Sequence, residues 1–113
     1  MLDRNIRVSE LLKQEISNMI LFGEIKDPRV AHVLITRVDV SKDLTNAKIF
    51  FRTYEDEDIK NIEETLNRAS SFIRNRLFKK LRLKKAINLK FIYDDSQKYL
   101  DKIDEILRKI HGE

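Results

Sequence analysis

The sequence predicts an α+β domain, one layer of helices on a three-stranded sheet, and three observations lead there. Apolar residues recur every three or four positions in three segments, as one face of a helix requires. β-Branched and aromatic residues concentrate in three shorter segments, as strands do. Turn-forming residues stand between them, so the order reads helix, strand, strand, helix, helix, strand, helix.

The first helix is expected from Arg4 to Phe22, with Val8, Leu11, Leu12, Ile16, Met19 and Ile20 on one face. Gly23 supplies its stop, and Asp27-Pro28-Arg29 makes a turn. Val33 to Val40 reads as a strand, and Ser41 to Asn46 is a run of short polar residues that closes a corner. Ala47 to Tyr54 is the return strand of a hairpin, with Ala47, Ile49 and Phe51 on one side and Lys48, Phe50 and Arg52 on the other. From Ile59 the period changes: Ile59, Ile62, Leu66, Ala69, Ile73, Leu77 and Leu81 form a stripe about 120° wide on a helical wheel. Periodicity does not decide between one long helix and two joined by a kink at Ser70-Ser71. Asn88 to Tyr93 is the third strand, and Asp94-Asp95-Ser96 starts a last helix with Leu100, Ile103, Leu107 and Ile110 on its apolar side.

A chain of 113 residues makes one domain. Apolar residues at 42% and charged residues at 37% describe a folded unit with a heavily charged surface. The absence of cysteine excludes disulfides, thiolate metal sites and a cysteine nucleophile, and fits a reducing compartment. The longest apolar run, Met19 to Phe22, is far too short for a transmembrane helix or a signal-peptide core.

The net charge is only +4, but its distribution is uneven. Residues 55–67 are strongly acidic, whereas the 23 residues from Arg68 to Lys90 carry nine Lys or Arg and no acidic residue. These are Arg68, Arg74, Arg76, Lys79, Lys80, Arg82, Lys84, Lys85 and Lys90. A solvated helix face usually mixes both signs, so a run of one sign points to a polyanion such as RNA. On the same wheel Arg68, Asn75, Lys79 and Arg82 lie within about 60° of one another, opposite the apolar stripe.

Catalytic patterns are missing. His32 and His111 are far apart and without metal-ligand spacing, and the serines lack a nucleophile–base–orienter set. Glu63-Glu64 and Asp94-Asp95 are sequence neighbours that a helix or strand points apart. Glycine at positions 23 and 112 alone rules out a phosphate-cradling loop. A non-enzyme with no cofactor, no metal and no small-molecule substrate is expected.

Several pieces together resemble the bacterial ribosome-binding factor A family over nearly the whole chain. They are Arg7-Val8, Ile25-Lys26-Asp27-Pro28-Arg29, Val38-Asp39-Val40-Ser41-Lys42-Asp43-Leu44 running into Ala47-Lys48, Ala69-Ser70-Ser71-Phe72-Ile73-Arg74, and Leu89-Lys90-Phe91-Ile92-Tyr93-Asp94-Asp95-Ser96. Each alone is weak; their order and spacing are specific. The chain departs from the family where Ala69-Ser70-Ser71 replaces the usual Ala-x-Gly at the bend, and where Ile87 stands in place of a frequent Pro.

The resemblance implies a type II KH-like domain over residues 1–95, with residues 96–113 as a C-terminal helix, docked or mobile. It implies a cytoplasmic monomer that binds the free 30S subunit and its 16S rRNA. Late maturation of the small subunit, 16S rRNA 5′-end processing and cold adaptation are the expected roles. The nine basic residues are the expected RNA contacts, with Ala69, Ser70 and Ser71 as the helix kink. The Gly-x-x-Gly loop of ordinary KH domains is absent, so binding would rest on charge and shape. The alternative is a general RNA-binding or protein-interaction module acting through the basic helix face.

Overall fold

Helix α1 (Arg4–Leu21) buries Ser9, Leu12, Ile16 and Met19, spaced three and four apart along one stripe. Gly23 stops it at φ +69°, where its amide bonds to the Ile20 carbonyl and the Glu24 amide bonds to that of Met19. Leu11 is not in the core as expected but 47% exposed; it stands about 100° around the helix from Leu12, off the stripe that meets the sheet. Phe22 caps the helix from outside and is 73% exposed. The buried Ser9 hydroxyl accepts from the Val40 amide at 3.2 Å and donates to the Asn5 carbonyl at 2.8 Å, tying α1 to the sheet.

The computed structural model describes residues 3–53 and 58–112. The return strand was expected to reach Tyr54, which lies outside those residues, as do three of the acidic positions of 55–67. Strands β1 (Val33–Val40) and β2 (Asn46–Thr53) pair antiparallel, and β3 (Asn88–Tyr93) pairs parallel to β2, giving the order β1-β2-β3. Strict alternation from Val33 and Ile35 would turn Arg37 and Asp39 into the core. The register instead shifts between Ile35 and Arg37, and the extra residue, Thr36, flips the parity so that Val38 and Val40 are buried.

The parallel β2–β3 pair requires a crossover, supplied by α2 (Ile59–Arg68) and α3 (Ser70–Lys80). They bury Ile62, Leu66, Ile73 and Leu77 against the same sheet face that holds Ala47, Ile49, Phe51 and Phe91. The two helices meet at Ala69, with φ −83° and ψ −2°, a conformation open to any residue. Ser71, at the position where glycine is usual, lies inside α3 and has no positive φ, so serine can stand there. Among the described residues neither Ser70 nor Ser71 makes a side-chain hydrogen bond. Ile87, in place of proline, is 4% exposed and fills the core. Asn67 closes the free edge of β3, accepting from the Phe91 amide at 2.9 Å and donating to its carbonyl at 3.0 Å. Glu63 Oε2 accepts the Tyr93 amide at 2.9 Å, so α2 covers backbone that an edge strand would otherwise expose. The succession helix, strand, strand, helix, helix, strand is the one expected for a type II KH-like domain.

Asp94 joins three elements. Its Oδ2 accepts from the Thr36 hydroxyl at 2.6 Å, and its Oδ1 accepts from the Ser96 amide at 2.9 Å, which starts α4 (Ser96–Ile110). The hydrogen bond from Thr36, followed by those from Ser96, holds its pKa near 2, below the ordinary 3.8. The folded pKa is depressed, so the stabilisation is complete above about pH 3.8 and is lost as pH falls through about 2. Thr36→Val is expected to lower the urea midpoint at neutral pH, with the gap to wild type narrowing across that acid window; a constant gap would dissociate the bond from the charge.

Helix α4 buries none of its residues, and Leu100, Ile106, Leu107 and Ile110 are all exposed. Stopping the chain after Ser96 is therefore expected to change the stability of the remainder by no more than about 0.5 kcal/mol. Thermal melts followed by circular dichroism check this, and a larger loss would mean that α4 supports the core.

Candidate nucleic-acid interface

The nine basic residues of 68–90 do not share one helix face. The wheel that grouped Arg68, Asn75, Lys79 and Arg82 assumed a continuous helix, but the chain breaks at Ala69 and leaves helical geometry after Lys80. Arg68 ends α2, its guanidinium donating to the Thr65 hydroxyl at 3.2 Å. It borders the Asp27-Pro28-Arg29 turn, which is itself fixed to α2: Arg29 grips Asp27 through two side-chain nitrogens at 2.8 and 3.0 Å and donates to Asn61 Oδ1 at 3.2 Å. The Arg29 side chain, then its backbone amide, holds the Asp27 carboxyl below its usual pKa.

On α3 the basic side chains divide by partner. Arg76 forms an ion pair with Glu24 beyond α1, and its guanidinium carbon lies 5.8 Å from the centre of the Phe72 ring. Lys80 Nζ lies 2.9 Å from Glu15 Oε2 of α1, an ion pair whose angles fall short of a hydrogen bond. Arg74 turns inward, donating to Asn88 Oδ1 at 3.2 Å at the start of β3. In these ion pairs the cation is exposed and the carboxylate half-buried; they tie α3 to α1 and offset part of the positive charge. Lys79 is exposed and has no ion-pair partner among the described residues.

Arg82, Lys84 and Lys85 follow α3 and line a cleft together with Arg4, Val8, Leu44 and Asp43. Among the described residues these four cations have no acidic partner within ion-pair distance. Arg4 comes from the other end of the chain, and the residue pattern carried no signal for it: it is one of five cations that five acidic residues balance over residues 1–30. Lys90 lies apart. It sits opposite Lys48 on the sheet face directed away from the helices, the face on which Arg37 packs over the Phe50 ring at 4.3 Å. The structure thus gathers Arg4, Arg82, Lys84 and Lys85, sets Arg76, Lys79 and Lys80 along the α1–α3 seam, and separates Arg68 and Lys90 from both.

No group of three or more His, Asp or Glu able to hold a metal ion is found among the described residues. No helix among them is long and apolar enough to cross a membrane.

A family model described as ribosome-binding factor A matches residues 4–107. A curated relative of that name from Syntrophobacter fumaroxidans is 41% identical over 108 residues, covering 93% of this chain and 92% of its own. The crystal structure of ribosome-binding factor A from Thermus thermophilus superposes with a TM-score of 0.68 at 19% identity, covering 79% of this chain and 94% of its own. A homology model of the Thermus thermophilus factor, as fitted into the cryo-electron-microscopy map of its 30S complex, superposes with a TM-score of 0.56 at 19% identity, over 73% of this chain and 90% of its own.

Proposed function

The chain belongs to the ribosome-binding factor A family, and we propose that it binds the free 30S subunit by neutralising phosphates of its 16S rRNA. The observation that carries this reading is the acid-free stretch from Arg68 to Lys90, which presents Lys79, Arg82, Lys84 and Lys85 to solvent without ion-pair partners among the described residues. The Thermus thermophilus relative seated in a 30S complex supports the same partner. Family members are binding factors, not catalysts, and the mechanism needs no chemical step. The helices packed on the sheet set a rigid shape, and the cations meet phosphates placed to suit it. A factor that binds one rRNA conformer better than another shifts the population towards it. Held until processing ends, that conformer would account for a role in late small-subunit maturation, 16S rRNA 5′-end processing and growth in the cold, carried out by a cytoplasmic monomer.

Co-sedimentation with purified particles tests the reading. Binding is expected with free 30S and not with 50S or 70S. Equal recovery with all three, or with none, refutes it.

A further inference from the structure

A cleft of about 380 Å³ opens between the first turns of α1, the β1–β2 turn and the segment that joins α3 to β3. Leu44, Leu81 and Leu83 give it apolar walls, and Arg4, Arg82, Lys84 and Lys85 surround them with positive charge. Asp43 is the acidic residue lining it, and its Oδ1 is already occupied by the Ser41 hydroxyl at 2.7 Å and by the amide and hydroxyl of Thr45 at 3.1 and 2.7 Å. The volume is at the lower end of small-molecule sites.

Backbone conformation singles out the same place. Among the described residues the non-glycine positions with positive φ are Leu44 at 60° and Arg82 at 51°, and both line this cleft. At Arg82 the cause is visible. The Leu83 amide bonds to the Phe78 carbonyl at 3.1 Å and the Arg82 amide to that of Lys79 at 3.4 Å, a helix ending whose left-handed position favours glycine. The chain uses glycine at the corresponding position after α1, Gly23, and after α4, Gly112. After α3 it keeps an arginine that the turn does not need. A side chain retained against the preference of its own backbone marks a place where the side chain itself is used.

We propose that this cleft seats one unstacked nucleotide of single-stranded RNA, the base against Leu44 and Leu83 and its flanking phosphates on Arg82, Lys84, Lys85 and Arg4. The proposal rests on the reading that the chain binds RNA. A paired base within a duplex cannot present its face to such walls, whereas unpaired bases splay out and seat against protein. Alternating phosphate and base match a rim of cations around an apolar floor, which a simple electrostatic footprint would not need.

The test follows backbone amide resonances of the nitrogen-labelled full chain during titration with a short single-stranded RNA, the same strand made abasic, and a duplex of equal length. Co-sedimentation with 30S particles is scored in parallel. The base-bearing strand is expected to shift the amides of Leu44, Arg82 and Leu83 and to bind about tenfold more tightly than the abasic strand. Arg82→Gly is expected to weaken that strand by about tenfold while raising the melting temperature, because glycine suits the position. Leu44→Gly, also suited to its φ, is expected to abolish the preference for a base over an abasic site. Abasic and base-bearing strands that bind alike, or shifts confined to residues outside the cleft, overturn the proposal while 30S binding stands. A chain that neither shifts nor sediments overturns the RNA reading as well.

Discussion

Binding to 30S particles is expected to weaken about a thousandfold between roughly 50 and 200 mM salt, the loss that accompanies about six phosphate contacts. Six cations are candidates for these contacts, Arg4, Arg68, Lys79, Arg82, Lys84 and Lys85, whereas Arg76 and Lys80 are engaged by Glu24 and Glu15, Arg74 by Asn88, and Lys90 faces the other way. A titration of co-sedimenting protein at several salt concentrations measures the slope. A loss nearer a hundredfold would confine the contacts to about four, the number of cations around the cleft. No salt dependence would exclude phosphate recognition.

The same mechanism makes position matter as well as total charge. Lys84→Glu with Lys85→Glu changes the charge as much as Lys102→Glu with Lys109→Glu, but the second pair lies on α4. Screening limits an exposed charge to a reach of about 8 Å at physiological ionic strength. The first double variant is expected to lose particle binding and the second to keep most of it. Equal losses would mean that overall charge, not a located surface, attracts the RNA.

Phe91→Ala is expected to cost about 3–5 kcal/mol, the usual range for emptying a large buried aromatic site. Against a total stability of about 5–15 kcal/mol this is enough to unfold much of the population. Phe91 is 1% exposed and sits on β3, which has one strand neighbour and is held on its other edge by Asn67 and Glu63. Without the ring, the strand loses its anchor under α2 and α3, and the segment carrying Lys84 and Lys85 loses the element it leads into. Urea unfolding gives the number, with Phe91→Leu as the control that keeps most of the volume. A change for the alanine variant below about 1 kcal/mol would show that the core collapses around the gap.

The element boundaries were legible in the residues because local chemistry writes them. Gly23 ends α1, the short polar residues from Ser41 close the hairpin, and Asn88 to Tyr93 alternates as a strand must. Family membership was legible too, since it rests on short motifs in a fixed order. Leu11 was misplaced because an amphipathic stripe shows which residues can be buried, not how wide a contact the partner sheet offers. The parity of β1 was hidden as well, since a single unpaired residue, Thr36, reverses which face each later side chain takes.

Charge made the stretch from Arg68 to Lys90 visible as a candidate surface, because charge is additive along a chain and can be counted without coordinates. Its subdivision could not be counted that way. Glu15 and Glu24 reach across from α1's side to claim Lys80 and Arg76, and the ends of the α2–α3 crossover send Arg68 and Lys90 to separate surfaces. Arg4, Leu44 and Arg82 come from three distant parts of the sequence and line one cleft because α1 is tied to the end of β1 through Asn5 and Ser9, and β3 pairs with β2. The sequence by itself determined the class of fold, the family and the sign of the candidate surface, all of which follow from local periodicity, motif order and composition. Which cations stay free, which are neutralised and which share a cleft was decided by the tertiary structure, because electrostatic partnership depends on distance through space and a chain records only distance along itself.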